Sequence, residues 1–191
     1  MKIGIIGTSR ITNDHIKVLK SLKHNILFIS STRKNSNKVN KLSKKYKIRK
    51  TFNDWRKSIE YAKKISNCNF LITSRIQDNF KVLKLCAETK RFIFIEKPVF
   101  LNTKLFNVIK NKKNIFTGYN RIFYSNIIKI KKIINKKKNI NVIAKCPEIN
   151  KRGIMTNSCH IISILLYFFK ELKIIHKTKN SNFINLILKN K

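Results

Sequence analysis

Short apolar segments alternate with helical patterns over residues 1–118, and this alternation constrains the fold most strongly. Runs of apolar residues predict strands, whereas apolar residues that recur every three or four positions predict helices. The predicted strands comprise residues 2–7, 25–30, 51–55, 69–73, 92–95 and 115–119. Repeated strand–helix units are typical of a doubly wound parallel sheet, so the sequence predicts an α/β fold.

The strand Phe92–Ile95 is followed directly by Glu96, Lys97 and Pro98. Its unbroken apolar run predicts a strand buried on both faces of the sheet. Ligands of open α/β sheets bind just outside the carboxyl ends of the strands, so these polar residues are candidate site residues. A solvated loop is the alternative interpretation.

The first strand ends in a glycine turn and is followed by a helix, as in the opening of a Rossmann dinucleotide-binding unit. Glycine permits the turn, and the helix N-terminus favours the pyrophosphate. Of the three glycines in the G-x-G-x-x-G pattern only Gly7 is present, with Ser9 and Thr12 at the other two positions. The cofactor-binding candidates of this turn are Gly7, Thr8, Ser9, Arg10 and Ile11.

The second strand ends in Ser31, Thr32 and Arg33, with no acidic residue to meet the ribose 2′-hydroxyl of NAD. Two hydroxyls and a guanidinium suit a 2′-phosphate instead, so the sequence favours NADP over NAD. In a lysine-rich chain basic residues occur everywhere, and the missing carboxylate is the stronger argument. Thr73 and Ser74, at the end of a later strand, are further cofactor-binding candidates.

Residues 119–191 predict a short second domain of the α+β class. It contains an apolar helix from Ile161 to Phe169 and three strand candidates, Val142–Ala144, Leu172–Ile175 and Phe183–Leu188. So small a sheet has an exposed edge, which a second copy of the chain would cover. We therefore expect a homo-oligomer formed through the C-terminal sheet.

Four landmarks occur in a characteristic order: the glycine turn with His15, Glu96-Lys97-Pro98, Gly118-Tyr119-Asn120-Arg121, and His160 before an apolar helix. With them the chain resembles the glucose-fructose oxidoreductase / inositol dehydrogenase (Gfo/Idh/MocA) family of NAD(P)-dependent oxidoreductases. The resemblance implies hydride transfer on a sugar, sugar-nucleotide or polyol, with a dinucleotide-binding domain at 1–118 and a truncated substrate and dimerisation domain at 119–191.

The resemblance also implies residue roles. Lys97 and His160 would be catalytic and would handle the proton of the substrate hydroxyl. Glu96, Lys97 and Pro98 would bind the cofactor, with a cis peptide bond before the proline. The substrate-binding residues implied are Lys97, Asn120, Arg121, Asn157 and His160.

The chain departs from the family pattern at three points, and the Thr156 and second-domain departures support an alternative, a non-catalytic or degenerate dinucleotide-binding protein. Thr156 and Ser163 stand where an aspartate commonly flanks the catalytic histidine, and the second domain is short. A hydroxyl cannot supply the charge of a carboxylate, so any acid–base pair would be weaker.

Composition adds little about function. The net charge of +36, from 44 Lys and Arg against 8 Asp and Glu, is spread along the chain and accompanies a bias towards Asn and Ile. It predicts weak, salt-sensitive binding to polyanions but no specific nucleic-acid partner. The four cysteines lack metal-site spacing, so no metal is expected. With no leader segment and no apolar run long enough to cross a bilayer, we expect a cytoplasmic protein without a membrane partner.

Overall fold

The chain forms two compact units, Met1–Gly118 and Tyr119–Lys191. The computed structural model describes residues 1–34, 36–110, 112–137, 140–148, 153, 156–179 and 184–190. The boundary between the units coincides with the end of the predicted dinucleotide-binding domain.

The first unit is built on a six-stranded parallel sheet, which confirms the predicted doubly wound α/β fold. Its strands are β1 (Lys2–Ile6), β2 (Asn25–Ser30), β3 (Lys50–Phe52), β4 (Cys68–Ile72), β5 (Ile93–Ile95) and β6 (Ile115–Thr117). Its helices are α1 (Thr12–Ser21), α2 (Asn37–Tyr46), α3 (Trp55–Lys63), α4 (Ile76–Glu88) and a 3₁₀ helix, Thr103–Val108. The strand order is β3-β2-β1-β4-β5-β6, so the direction of winding reverses between β1 and β4.

The two faces of this sheet are covered by different helices. Crossovers between parallel strands are right-handed, so α1 and α2 lie on one face while α3 and α4 lie on the other. Ile16 of α1 and Val39 of α2 pack with Ile5 in one buried cluster. Ile59 of α3 and Val82 of α4 pack in a second, larger cluster.

The prediction that the strand at Phe92–Ile95 is buried on both faces is wrong. Ile93 and Ile95 are fully buried on the face covered by α3 and α4, but Phe94 is 37% exposed and Phe92 is 59% exposed. The reason is the topology, because α1 and α2 both connect strands on the β1–β3 side of the sheet. On the face that α1 and α2 cover, β5 lies beyond both helices, apart from an edge-on contact of the His15 ring of α1 with Phe94.

The second unit contains less regular structure than the first. It comprises a 3₁₀ helix (Asn120–Phe123), α5 (Ser125–Ile134), α6 (Cys159–Phe169), β7 (Leu172–Lys179) and β8 (Ile184–Asn190). The strands β7 and β8 pair antiparallel in a two-stranded sheet. The predicted strand at Val142–Ala144 is wrong, because these residues form no sheet pairing and Ile143 is 86% exposed. Phe183, the first residue of the last predicted strand, lies outside the described residues.

No helix in the part of the chain that the structure describes is long and apolar enough to cross a membrane.

Gly4 of β1 leaves the space that the ring of Phe28 occupies. A Cβ atom at Gly4 would lie 2.1 Å from Phe28 Cζ and 2.4 Å from its Cε1. Phe28 is fully buried, with edge-to-face contacts to Phe52 and Tyr61, so its ring cannot easily move aside. The fit of the Phe28 ring over Gly4 therefore adds side-chain packing to the backbone pairing of β1 with β2.

We predict that Gly4→Ala lowers the free energy of unfolding by about 1–3 kcal/mol, because it overpacks a filled core. In a Phe28→Leu background the same change costs less, since the smaller side chain makes room. Denaturant unfolding of the four proteins measures the coupling. Val18→Ala, at a 54% exposed residue of α1, serves as a control with little effect. Equal costs in both backgrounds contradict the prediction.

Candidate dinucleotide site

The predicted cofactor-binding residues of the first unit all lie in four loops at one edge of the sheet. The strands β2, β1, β4 and β5 are neighbours and run parallel, so their carboxyl ends meet at this edge. Ser31, Thr32 and Arg33 follow β2, Gly7 to Ile11 follow β1, Thr73 and Ser74 follow β4, and Glu96 to Pro98 follow β5. The switch in winding direction between β1 and β4 is where open α/β sheets bind ligands.

Gly7 forms the centre of this edge. Its φ angle of +127° is in the region that favours glycine. A Cβ atom there would lie 2.2 Å from the carbonyl carbon of Thr73 and 2.4 Å from the amide nitrogen of Ser74. Its own amide donates to the Ser30 carbonyl at 2.8 Å. Only glycine therefore allows the loops after β2, β1 and β4 to approach this closely.

Thr12 occupies the position of the third glycine of the dinucleotide pattern. Its side chain is fully buried, and a hydrogen bond of 2.8 Å joins its Oγ1 to Thr73 Oγ1. Ser9 Oγ lies 3.3 Å from the same Thr12 hydroxyl. The helix α1 is thus fastened to the loop after β4 by paired hydroxyls instead of by glycine packing. The sequence showed that Thr12 replaces the third glycine of the G-x-G-x-x-G pattern, but it did not show that Thr12 joins α1 to the loop after β4.

The loop after β2 contacts the glycine turn and α4. Thr8 Oγ1 donates to Ser31 Oγ at 3.5 Å. Thr32 Oγ1 donates to the carboxylate Oδ2 of Asp78 at 2.6 Å. Arg10 and Arg33 are exposed at this edge. The sequence offered no carboxylate at the end of β2, and Asp78 was missed because it lies in the first turn of α4.

Glu96, which follows β5, is held by His15 of α1. The imidazole Nε2 lies 2.6 Å from Glu96 Oε1, where its N–H donates to the carboxylate. The His15 ring also stands edge-on to Phe94 at a centroid distance of 5.6 Å. The other oxygen of Glu96 accepts from the Lys97 amide at 3.3 Å. These contacts direct the loop that carries Lys97.

The Lys97–Pro98 peptide bond is cis, as the resemblance implied. Asn79 of α4 donates from Nδ2 to the Pro98 carbonyl at 3.1 Å and accepts a hydrogen bond from Ser74 Oγ at 2.6 Å. Asn79 is 3% exposed, so it is a buried link between the loops after β4 and β5. No motif in the sequence indicated this residue.

The remaining candidates belong to the second unit. Asn120 and Arg121 are exposed on the 3₁₀ helix, whereas His160 is 5% exposed near the start of α6. Tyr119 stands edge-on to the His160 ring at 6.4 Å between centroids. Burial raises the pKa of the Tyr119 phenol, and charge on Cys159 raises it further, so the phenol is neutral at neutral pH.

Glu148 supplies a carboxylate near the start of α6 that the sequence analysis missed. Its Oε1 accepts from Ser158 Oγ at 2.9 Å, and its Oε2 accepts from Asn157 Nδ2 at 3.2 Å. Thr156, where the resemblance led us to look for an aspartate, accepts a hydrogen bond at its carbonyl from Cys159 Sγ at 3.2 Å. Asn157 is thus engaged with a carboxylate in this unit.

The edge of the first unit has the chemistry of a dinucleotide site. A positive-φ glycine lets backbone pass close to a ligand, and the α1 N-terminus favours phosphate. Hydroxyls and exposed guanidiniums line the loops after β1 and β2, and a lysine follows β5. This arrangement defines the class of Rossmann-fold dinucleotide-binding domains.

The chain belongs to the Gfo/Idh/MocA family, described as an oxidoreductase family with an NAD-binding Rossmann fold, whose model matches residues 1–116. Myo-inositol 2-dehydrogenase of Thermotoga maritima is 30% identical over 140 residues, which are 70% of this chain and 40% of that protein. The chain therefore spans less than half of this relative's length.

Solved structures support the fold. Scyllo-inositol dehydrogenase from Lactobacillus casei, with NAD(H) and scyllo-inositol bound, has a TM-score of 0.73 and 17% identity, with 91% of this chain and 57% of that chain covered. The WlbA dehydrogenase from Thermus thermophilus, in complex with NAD and UDP-GlcNAcA, has a TM-score of 0.74 and 11% identity, with 96% and 67% covered.

We predict that Thr12→Val lowers the free energy of unfolding by about 1–3 kcal/mol, because Thr73 then keeps a buried hydroxyl without its side-chain partner. The double variant Thr12→Val, Thr73→Val costs less than the sum of the single changes, since both hydroxyls are removed together. Thermal or denaturant unfolding measures this cycle. Thr117→Val, at a half-buried residue of β6, is the matched control. Strict additivity contradicts the anchoring role of the pair.

Proposed function

We propose that the chain is an NAD(P)-dependent oxidoreductase that acts on the CH–OH group of a sugar, sugar-nucleotide or polyol. The observation that carries the proposal is the juxtaposition at one sheet edge of the Gly7 turn and the loop Glu96-Lys97-Pro98. The first provides the phosphate cradle, and the second places a lysine where α/β sheets bind ligands. The substrate class follows the relatives, whose names and ligands include inositols and a sugar-nucleotide.

The nicotinamide, when bound, supplies hydride chemistry, and the protein supplies binding, orientation and proton transfer. The cofactor-binding residues proposed are Gly7, Thr8, Ser9, Arg10, Ile11, Ser31, Thr32, Arg33, Thr73, Ser74, Glu96, Lys97 and Pro98. Hydride transfer from an alcohol carbon produces a carbonyl, so the hydroxyl must also lose a proton. The Lys97 amine is proposed to polarise this oxygen and to transfer its proton. The His15–Glu96 hydrogen bond fixes the loop that carries it.

His160 is proposed as a second proton-transfer residue, with Asn120, Arg121 and Asn157 as substrate-binding residues. These assignments rest on the resemblance. The burial of His160 supports a defined ring orientation, which a proton-transfer group requires. Each belongs to the second unit and is tested separately from Lys97.

We predict that the purified chain binds reduced dinucleotide saturably and turns over a member of a panel that contains myo-inositol, scyllo-inositol and nucleotide-sugars. Nicotinamide fluorescence measures binding, and formation of reduced nicotinamide measures turnover, both at moderate salt to suppress polyanion binding. Lys97→Met lowers kcat by about 10²–10⁴-fold, because general acid–base catalysis contributes this much. It weakens cofactor binding by only a few-fold, because Lys97 is one of many proposed cofactor-binding residues and the others remain.

Lys84→Met, an exposed lysine of α4, is the matched control and leaves both quantities unchanged. If the chain binds neither NADH nor NADPH, the proposal is overturned. His160→Asn tests the second proton-transfer residue, and unchanged turnover of this variant refutes that assignment alone.

The second candidate function is a dinucleotide-binding protein without turnover. Thr156 supports it, because a hydroxyl replaces the expected carboxylate before His160. Saturable binding with no turnover of any panel member is the result that this candidate predicts.

The choice between NAD and NADP depends on the residues at the end of β2. Arg33, with the Ser31 and Thr32 hydroxyls, supports the preference for NADP that the sequence predicts. The Asp78 carboxylate, 2.6 Å from Thr32 Oγ1, opposes it.

We further propose that the chain is a homo-oligomer formed through the two-stranded sheet of β7 and β8. Ile175 is 55% exposed and Ile187 is 48% exposed, and the strand pairing skips Ile175 in a bulge. A two-stranded sheet is marginally stable in water by itself, and its exposed apolar side chains favour a covered state. A second copy provides a matching surface without any further protein.

We predict that the wild-type chain sediments as a dimer at moderate salt, and that Ile175→Lys with Ile187→Lys shifts it to a monomer. Burying two added charges in an apolar interface is unfavourable, which is the reason for the shift. Lys177→Gln on the same strand is the control and leaves the dimer intact. A monomeric wild-type chain by analytical ultracentrifugation contradicts the proposal.

A further inference from the structure

A carboxylate reaches the end of β2 from a distant part of the chain. The sequence Ser31-Thr32-Arg33 contains no acidic residue, yet Asp78 lies in hydrogen-bond contact with Thr32. In the sheet, β1 lies between β2 and β4. The Thr32–Asp78 hydrogen bond therefore links the loop after β2 to the first turn of α4 across the end of β1.

Among the described residues, every hydrogen bond to the Asp78 carboxylate involves the same oxygen, Oδ2. Oδ2 accepts from Thr32 Oγ1 at 2.6 Å, from Arg75 Nη2 at 2.9 Å and from Arg75 Nε at 3.0 Å. No described residue hydrogen-bonds to Oδ1, and the side chain is 24% exposed. A positioned carboxylate with one accessible oxygen can accept hydrogen bonds from a ligand hydroxyl.

We propose that Asp78 determines cofactor specificity, by accepting a hydrogen bond from an adenosine ribose hydroxyl and by disfavouring a 2′-phosphate. The inference rests on the proposed dinucleotide-binding function. In Rossmann folds an acidic residue that selects NAD acts on this hydroxyl. A phosphate offers oxygens instead of a hydroxyl proton and carries like charge, so it is repelled by a carboxylate. Asp78, which lies in α4, thus takes the place of the acidic residue that is missing after β2.

The basic residues nearby do not reverse this preference. The Arg75 guanidinium already pairs with the Asp78 carboxylate through two nitrogens, Nη2 and Nε. Arg33 makes no ion pair in the part of the chain that the structure describes, so its guanidinium could meet a 2′-phosphate. That phosphate would still face the Asp78 carboxylate. We therefore infer that the chain prefers NAD, in contrast to the preference predicted from Arg33.

The test is a pair of fluorescence titrations of the full chain, with NADH and with NADPH, at one fixed moderate salt concentration. The wild type binds NADH more tightly. Asp78→Asn keeps the size and an acceptor for Thr32 but removes the charge. It lowers the ratio of the NADPH Kd to the NADH Kd about tenfold, which corresponds to one carboxylate–phosphate interaction near a protein surface.

Glu60→Gln is the matched control. It makes the same change in net charge at an exposed residue of α3, where Glu60 pairs with Lys63 at 2.6 Å. We expect Glu60→Gln to leave the ratio of the NADPH Kd to the NADH Kd unchanged. This result separates the effect of the Asp78 charge from the general attraction of a basic protein for anions. Asp78→Ser is a second variant, in case the amide disturbs the start of α4, and it lowers the ratio in the same direction.

Two results overturn the inference while leaving the proposed function intact. In the first, the chain binds both dinucleotides, but neither Asp78 variant changes the ratio of the NADPH Kd to the NADH Kd. The other is tighter binding of NADPH by the wild type, abolished by Arg33→Ala, which assigns specificity to Arg33. Absence of binding to either dinucleotide overturns the proposed function as well as the inference.

Discussion

The close approach of three loops at Gly7 is the constraint on which the rest of the candidate site depends. With a φ of +127° and backbone atoms of Thr73 and Ser74 within 2.4 Å of a would-be Cβ, no other residue fits this position without strain. The turn therefore holds the ends of β1 and β4 together where the winding of the sheet reverses. Everything that the site offers, from Ser31 to Lys97, is arranged around that point.

Side-chain hydrogen bonds, made to a side chain or to the backbone of another element, complete this edge of the sheet. The hydroxyl pair Thr12–Thr73 fastens α1 to the loop after β4, and the His15–Glu96 hydrogen bond fastens it to the loop after β5. Asn79 connects α4 to the Pro98 carbonyl. These contacts are buried or partly buried, and they fix positions because a partner left unpaired away from water carries a desolvation cost. The edge is consequently well suited to hold a ligand in a defined orientation.

The acidic residues are more informative than the abundant basic ones. Eight carboxylates occur against 44 Lys and Arg, and three of them, Asp78, Glu96 and Glu148, accept hydrogen bonds close to predicted site residues. A cation in such a chain is expected at almost any surface position, so its presence near a loop discriminates little. A carboxylate is rare in this chain, so its position near a loop of the candidate site discriminates more. For this reason Asp78 carries more weight than Arg33 in the argument about the cofactor.

The sequence alone determined the alternation of strands and helices, the glycine turn, and the loops that carry Lys97 and Arg33, because periodicity and turn chemistry are local properties. The resemblance added the cis bond before Pro98, which the structure contains. Only the tertiary structure decided that Asp78 reaches Thr32 and that Phe94 is exposed on one face. Both follow from strand order and crossover handedness, which bring together residues far apart in the chain and which no local pattern encodes.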